Sequence, residues 1–262
     1  MKIILNGKKA LVGGSSSGIG RAIAIELAKC GAEVTLMARS EEKLKVLLSE
    51  LDSSQGQKHH YLVTDFNDYE SHKNNVTQYF DEYQVDILVN NTNGPQAGDI
   101  LHKGENDYQL AFELLFQNAV FTTRLALPYM QCKGFGRIIN VSSMTVKEPQ
   151  DSLVLSNTMR TALVSWSKSL SNAVAVDGIT VNSIMTGYFD TERLNSLMEI
   201  QAVSAGIGVE DIKKQRIASV PVNRLGNPQE YGYLTAFLAS DYASFLTGAA
   251  IPLDGGIAKT MF

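Results

Sequence analysis

The 262-residue chain is poor in the residues that mark specialised classes: two cysteines, one tryptophan, four histidines and six prolines. Cys30 and Cys132 are far apart and form no CxxC pair. That excludes a disulfide framework and points to free thiols in a reducing, cytoplasmic setting. No apolar run approaches the roughly eighteen residues a membrane span needs. The start, Met1 to Gly7, turns polar too soon for a signal peptide. Basic excess is also missing: 27 acidic side chains stand against 23 basic ones, net charge −4. A nucleic-acid partner, whose phosphates must be neutralised, is therefore not expected. His59, His60, His72 and His102 lack metal-ligand spacing. They read as surface or strand-edge residues, and no metal is expected. Linkers, repeats and low-complexity tracts are absent from the sequence, so residues 1–262 read as one domain.

What is present is globular, with 44% apolar and 19% charged residues. Short apolar runs alternate with longer helical patterns. Strands are expected at 9–13, 33–38, 61–63, 87–90, 137–141, 179–184 and 249–253. Helices are expected at 18–30, 41–51, 68–83, 107–132, 153–176 and 228–239, the last with Pro228 in its first turn. Residues 190–220 interrupt the rhythm as a helix-prone insertion. Strand–helix alternation implies right-handed crossovers and a parallel sheet covered on both faces. The expected fold is α/β: one doubly wound Rossmann domain, with its ligand beyond the carboxyl ends of the strands.

The first strand runs into Gly13-Gly14-Ser15-Ser16-Ser17-Gly18-Ile19-Gly20, a GxxxGxG turn that opens a helix. Glycines let backbone approach a pyrophosphate, and the helix N-terminus offers unpaired N–H groups. Where the second strand ends, Ala38 and Arg39 replace the acid that would hold ribose hydroxyls. An arginine there suits a 2′-phosphate, so NADP(H) is expected over NAD(H).

Further motifs accompany this turn: Asp65, Asp86-Ile87-Leu88-Val89-Asn90-Asn91, Ile139-Asn140-Val141-Ser142-Ser143, Arg224-Leu225-Gly226-Asn227-Pro228 and Leu253-Asp254-Gly255-Gly256. On these residues the sequence resembles the short-chain dehydrogenase/reductase family, within it the 3-oxoacyl-carrier-protein-reductase-like group. The resemblance implies an oxidoreductase acting on a small carbonyl or hydroxyl substrate. It implies cofactor contacts from Gly14, Ser15, Ser16, Ser17, Gly18, Ile19, Gly20, Arg39, Asp65, Phe66, Asn91, Arg160, Gly187 and Phe189. Asp65 should meet the adenine, and Asn91 the adenosine ribose. It also implies a substrate lid at 190–220, and a homotetramer or dimer through the helices near 107–132 and 153–176.

The family's chemistry rests on Asn, Ser, Tyr and Lys. Here Ser143 keeps the serine position, while Ser156 stands at the tyrosine and Arg160 at the lysine, four residues on. Leu115 falls where the asparagine belongs, with Asn118 three residues later, and Gly13 replaces a threonine. Ser143, Ser156 and Arg160 are thus the expected catalytic set. A serine hydroxyl lacks the acidity of a phenol, and arginine does not pass its proton on. Tyr188, Lys147 and Glu148 are candidate substitutes for the missing acid. The alternative function is an NADP(H)-binding sensor with weak or no turnover.

Overall fold

The structure, a computed structural model, describes residues 2–260. Strands form at Lys9–Gly13 (β1), Glu33–Ala38 (β2), His60–Val63 (β3), Ile87–Asn90 (β4), Gly136–Ser143 (β5), Ile179–Thr186 (β6) and Ala250–Leu253 (β7). They build one sheet in the order β3-β2-β1-β4-β5-β6-β7, and every pairing is parallel. The order reverses between β1 and β4, which places a crevice at their carboxyl ends. Strands β4, β5 and β6 are buried almost throughout, on both faces.

Gly18–Lys29 (α1), Glu41–Glu50 (α2) and Tyr69–Glu82 (α3) follow the first three strands. Ser40 caps α2 by accepting from the Lys43 N–H, and Asp68 caps α3 by accepting from Ser71 N–H. The helix expected at 107–132 is not continuous. It is Glu105–Phe112 (α4), a π-helical turn at Glu113–Gln117, and Asn118–Lys133 (α5). Such a turn inserts one residue into the ladder and is invisible to a 3.6-residue pattern. Val154–Val174 (α6) and Pro228–Ala239 (α9) match expectation. Residues 190–220 fold as Glu192–Ala205 (α7) and Val209–Ser219 (α8), which share a small core of Leu194, Met198, Ala202 and Ile212.

Behind the crevice a buried polar chain crosses the sheet. Asn90 of β4 donates to Thr123 Oγ1 (3.1 Å) and to Asn140 Oδ1 of β5 (2.8 Å). Asn140 donates to Ser167 Oγ of α6 (2.7 Å). Each bond joins a different pair of elements, so the chain fixes β4, β5, α5 and α6 against one another.

One histidine departs from expectation. His72 is fully buried on α3, with Nδ1 3.3 Å from Thr64 Oγ1 and Nε2 3.2 Å from Thr122 Oγ1. Its i, i+4 neighbour Val76 marks the same inward face of α3, a face too polar overall to betray it. Burial lowers the His72 pKa from 6.5 to about 4. The unfolded chain therefore takes up a proton between pH 6.5 and 4 that the folded chain refuses. Stability rises with pH through that window, by about 3 kcal/mol for a shift of this size. His72→Gln should flatten that part of the stability curve, measured by urea unfolding at pH 7, 5.5 and 4.5. An unchanged slope between wild type and variant would contradict the assignment.

Candidate active site

A cavity of about 1120 Å³ opens at the carboxyl ends of the strands. Its walls are the β1–α1 turn, Arg39, the loop after β4, Ser142 to Thr145, the first turns of α6, the loop after β6, and α7 with α8.

The β1–α1 turn is shaped by close backbone approach. Gly14 and Gly18 have φ of +58° and +52°, the left-handed region that glycine occupies without strain. A Cβ on Gly13 would lie 2.5 Å from the Asn91 carbonyl oxygen, and one on Gly14 2.6 Å from Asn91 Nδ2. A Cβ on Gly20 would collide with the Gly14 carbonyl. Asn91 Nδ2 donates to the Gly13 carbonyl at 3.0 Å, locking the turn to the end of β4. The missing threonine at position 13 thus has a local cause, since no side chain fits there.

Ser17 is the N-cap of α1, yet its side chain makes no cap bond, and the first turn of α1 carries no acid. The free N–H groups, the positive helix end and the hydroxyls of Ser16 and Ser17 therefore line the cavity unopposed. This cradle fits a dinucleotide pyrophosphate. Gly14, Ser16, Ser17, Gly18, Ile19 and Gly20 line it. Ser15 does not. It is buried, accepts the Met37 N–H at 2.9 Å, and ties the turn to β2. A hydroxyl satisfied by backbone is unavailable to a phosphate.

Arg39 lies on the cavity wall, largely exposed, with Nη1 3.9 Å from Asp65 Oδ2. Asp65 itself is not on the wall. Its Oδ1 accepts from the backbone and side-chain nitrogens of Asn67 at 2.9 and 2.8 Å. Phe66 is buried beside His72 and lines the cavity.

At the other end, Ser143 Oγ accepts two bonds from Thr145, from N–H at 3.2 Å and Oγ1–H at 3.0 Å. A hydroxyl has two acceptor sites and one proton. With both acceptor sites filled, Ser143 keeps its proton for another oxygen. Ser156 accepts one bond, from Arg160 Nε at 3.2 Å. Arg160 also donates Nη1 to the Val141 carbonyl at 2.6 Å. Burial lowers its pKa to about 10, so it stays charged at neutral pH. The α6 helix sets this pair, because residues four apart share a face.

Leu115 is buried inside the π-helical turn. Asn118 lies a turn away and donates to the Phe66 carbonyl at 2.8 Å. Its Oδ1 has no partner, and Asn118 and Arg160 line a second cavity of about 20 Å³. That is room for one water. Gly187 packs so tightly that a Cβ would lie 2.5 Å from Asp254 Cα. Phe189 is buried edge-on to Tyr231, their ring centres 5.4 Å apart, and also lines the main cavity.

Of the three candidate substitutes for the acid, only Tyr188 reaches the cavity, where Gln150 donates to its hydroxyl at 3.4 Å. Lys147 and Glu148 do not line it, and Glu148 instead accepts the Thr260 N–H at 3.1 Å. Two wall residues carry no motif and escaped sequence reading: Arg193 of α7 and Arg216 of α8. Among the described residues no group of three or more His, Cys, Asp or Glu could hold a metal, and no helix is long and apolar enough to cross a membrane. Cys30 and Cys132 are free thiols.

Comparison with known proteins agrees with this architecture. The family model described as Enoyl-(Acyl carrier protein) reductase matches residues 14–258. A 3-oxoacyl-[acyl-carrier-protein] reductase of Aquifex aeolicus is 30% identical, over 98% of this chain and 100% of the relative. The oxidoreductase UcpA of Salmonella typhimurium is 34% identical, over 96% and 95%. The structure of L-sorbose reductase from Gluconobacter frateurii, complexed with NADPH and L-sorbose, superposes with a TM-score of 0.91 at 30% identity and full coverage of both chains. The helix that opens from the glycine turn, strands β2 to β7 and the seryl wall at the end of β5 lie within the span that the family model matches. The chain belongs to the short-chain dehydrogenase/reductase family, in its 3-oxoacyl-carrier-protein-reductase-like group.

Proposed function

We propose that this protein is an NADP(H)-dependent reductase of small carbonyl compounds, with Ser143, Ser156 and Arg160 as its catalytic set. The observation that carries the reading is the state of Ser143: both acceptor sites filled by Thr145, its proton free, on the wall shared with the glycine cradle. Such a hydroxyl donates to a carbonyl oxygen and stabilises the negative charge that grows there during reduction. Ser156 does the same, and the Arg160 N–H on its oxygen makes it a better donor. Arg160 holds both Ser156 and the end of β5 through Val141.

The nicotinamide cofactor, when bound, supplies a hydride to the carbonyl carbon. Residues that fit it are Gly14, Ser16, Ser17, Gly18, Ile19 and Gly20 at the pyrophosphate, Arg39 at a 2′-phosphate, Asn91 at the adenosine ribose, and Arg160, Gly187 and Phe189 toward the nicotinamide. Arg39 has only a distant, exposed carboxylate beside it, so its fork is available to a phosphate. The NADPH of the L-sorbose reductase complex supports the same choice. Two seryl donors, with Ser156 at the family's tyrosine position, give a slow enzyme, because a general acid contributes about 10²–10⁴-fold. The pair α7–α8 serves as the lid over the substrate in this reading, and copies assemble through α5 and α6.

A second reading, an NADP(H)-binding sensor, is favoured by one fact: no histidine or cysteine lines the cavity to supply the proton. Turnover decides between the two. NADPH oxidation above an enzyme-free control, across a panel of ketones and 3-oxoacyl thioesters, supports the reductase; tight NADPH binding with no turnover leaves the sensor.

Three outcomes are expected. NADPH binds at least ten-fold tighter than NADH in parallel fluorescence titrations, a difference of about 1.4 kcal/mol, and Arg39→Ala removes the preference. Ser143→Ala lowers kcat at least ten-fold while the Kd for NADPH stays constant; unchanged turnover would sink its role. The double substitution Ser156→Tyr with Arg160→Lys raises kcat by about 10² or more if the missing phenol limits the rate.

A further inference from the structure

The chain has eight arginines. Arg21, Arg39, Arg137 and Arg224 each lie within 4.0 Å of a carboxylate. Among the described residues the other four do not, and three of these, Arg160, Arg193 and Arg216, line the main cavity. Arg160 is engaged by Val141 and Ser156. Arg193 and Arg216 come from the two helices over the cavity and meet only neutral groups. Arg193 Nη2 donates to the Pro95 carbonyl at 2.9 Å, and Arg216 Nη2 to Gln201 Oε1 at 2.8 Å. The Nε of Arg216 is buried without an acceptor.

A buried guanidinium N–H without an acceptor is costly, and the cost is repaid when a ligand brings one, best an anionic oxygen. The acids on the same wall do not bring it. Asp99 is held by His102 at 2.8 and 2.9 Å, and neither Asp151 nor Glu192 lies within 4.0 Å of an arginine nitrogen. Arg216 is also oriented for the task, its guanidinium lying 4.7 Å from the centre of the Tyr188 ring. Stacking on an aromatic face fixes the plane of the fork. Tyr188 sits between Gly187 and Phe189, so Arg216 is carried to the reacting end of the cavity. Leu153, Leu197 and Ile200 line the wall as well, apolar surface for a short carbon chain.

We propose that Arg216, assisted by Arg193, binds a carboxylate on the substrate, so that the compound reduced is an oxo acid and the product the matching hydroxy acid. The inference rests on the reductase reading for the chemistry but not for the binding. In the reaction the carbonyl carbon gains a hydride as NADPH becomes NADP⁺, the carbonyl oxygen gains a proton from solvent through the seryl donors, and the carboxylate is unchanged. The competing source of an oxyanion is the cofactor's own pyrophosphate. Arg193 is the residue open to it, because Thr191, two residues earlier, lies against Gly18 of the glycine turn. Arg216 separates the two sources.

The test is calorimetric titration of the NADPH-loaded protein with 5-oxohexanoate and 2-oxohexanoate, each beside its methyl ester, together with NADPH oxidation. At least one acid should bind ten-fold or more tighter than its ester. Arg216→Gln should erase that difference while the Kd for NADPH holds, and Arg216→Lys, which keeps the charge without the fork, should retain part of it. Equal binding of acid and ester, no binding of either acid, or a preference that survives Arg216→Gln overturns the proposal. So does Arg193→Gln weakening NADPH ten-fold while acid and ester bind alike, which assigns the cations to the pyrophosphate. Acid-selective binding without NADPH oxidation keeps the carboxylate site and removes the reductase reading. Turnover of uncharged ketones with no acid preference does the reverse.

Discussion

The approach of the glycine turn to Asn91 is the constraint on which the rest of the site depends. Strands β1 and β4 are neighbours at the point where the sheet order reverses, and their carboxyl ends must converge for a turn and a helix N-terminus to face one ligand. Convergence leaves no volume for a Cβ at Gly13, Gly14 or Gly20. The bond from Asn91 to the Gly13 carbonyl then holds the two strand ends as one piece. The loop that continues from Asn91 carries Pro95, which accepts from Arg193 of α7. One close contact at the base of the crevice thus governs the nucleotide cradle and the seat of the helical pair above it.

The reaction end is fixed by a second, independent device. The chain of amides from Thr123 through Asn90 and Asn140 to Ser167 binds α5, β4, β5 and α6 into a frame. Ser143 ends β5, and Ser156 and Arg160 ride on α6, so their relative positions are inherited from that frame. Within it, on the proposed reading, the Arg160 guanidinium stands where the family has an ammonium and trades one capacity for another. It makes two directed bonds, to Val141 and Ser156, but it stays charged and does not relay a proton. In that reading the chemistry that survives is donation to an oxygen, and the chemistry that weakens is acid catalysis.

The cavity's charge follows a different logic from its walls. Elsewhere on the surface arginines sit beside carboxylates, as Arg224 does with Glu230. In the cavity Arg39 has a distant one, and Arg160, Arg193 and Arg216 have none within 4.0 Å among the described residues. A cation without a carboxylate beside it leaves its donors open to an anionic ligand, which is why pairing, more than the number of cations, marks the site.

The sequence by itself determined the sheet, the crevice and the cradle. Strand runs such as Ile87–Asn90 and the GxxxGxG turn are local patterns, because burial on both faces and close backbone approach restrict residue type at consecutive positions. It also named Ser143, Ser156 and Arg160, which lie at fixed distances from those patterns. Only the tertiary structure decided the remainder. His72 and Ser15 read as surface and ligand-facing residues, and both turned inward, because their partners Thr122 and Met37 lie 50 and 22 residues away. The π-helical turn at Glu113–Gln117 broke a helix whose periodicity looked continuous. Arg193 and Arg216 belong to no sequence motif. Whether a cation is paired depends on which carboxylates the fold brings near it, and that is a property of three-dimensional neighbours that no spacing along the chain encodes.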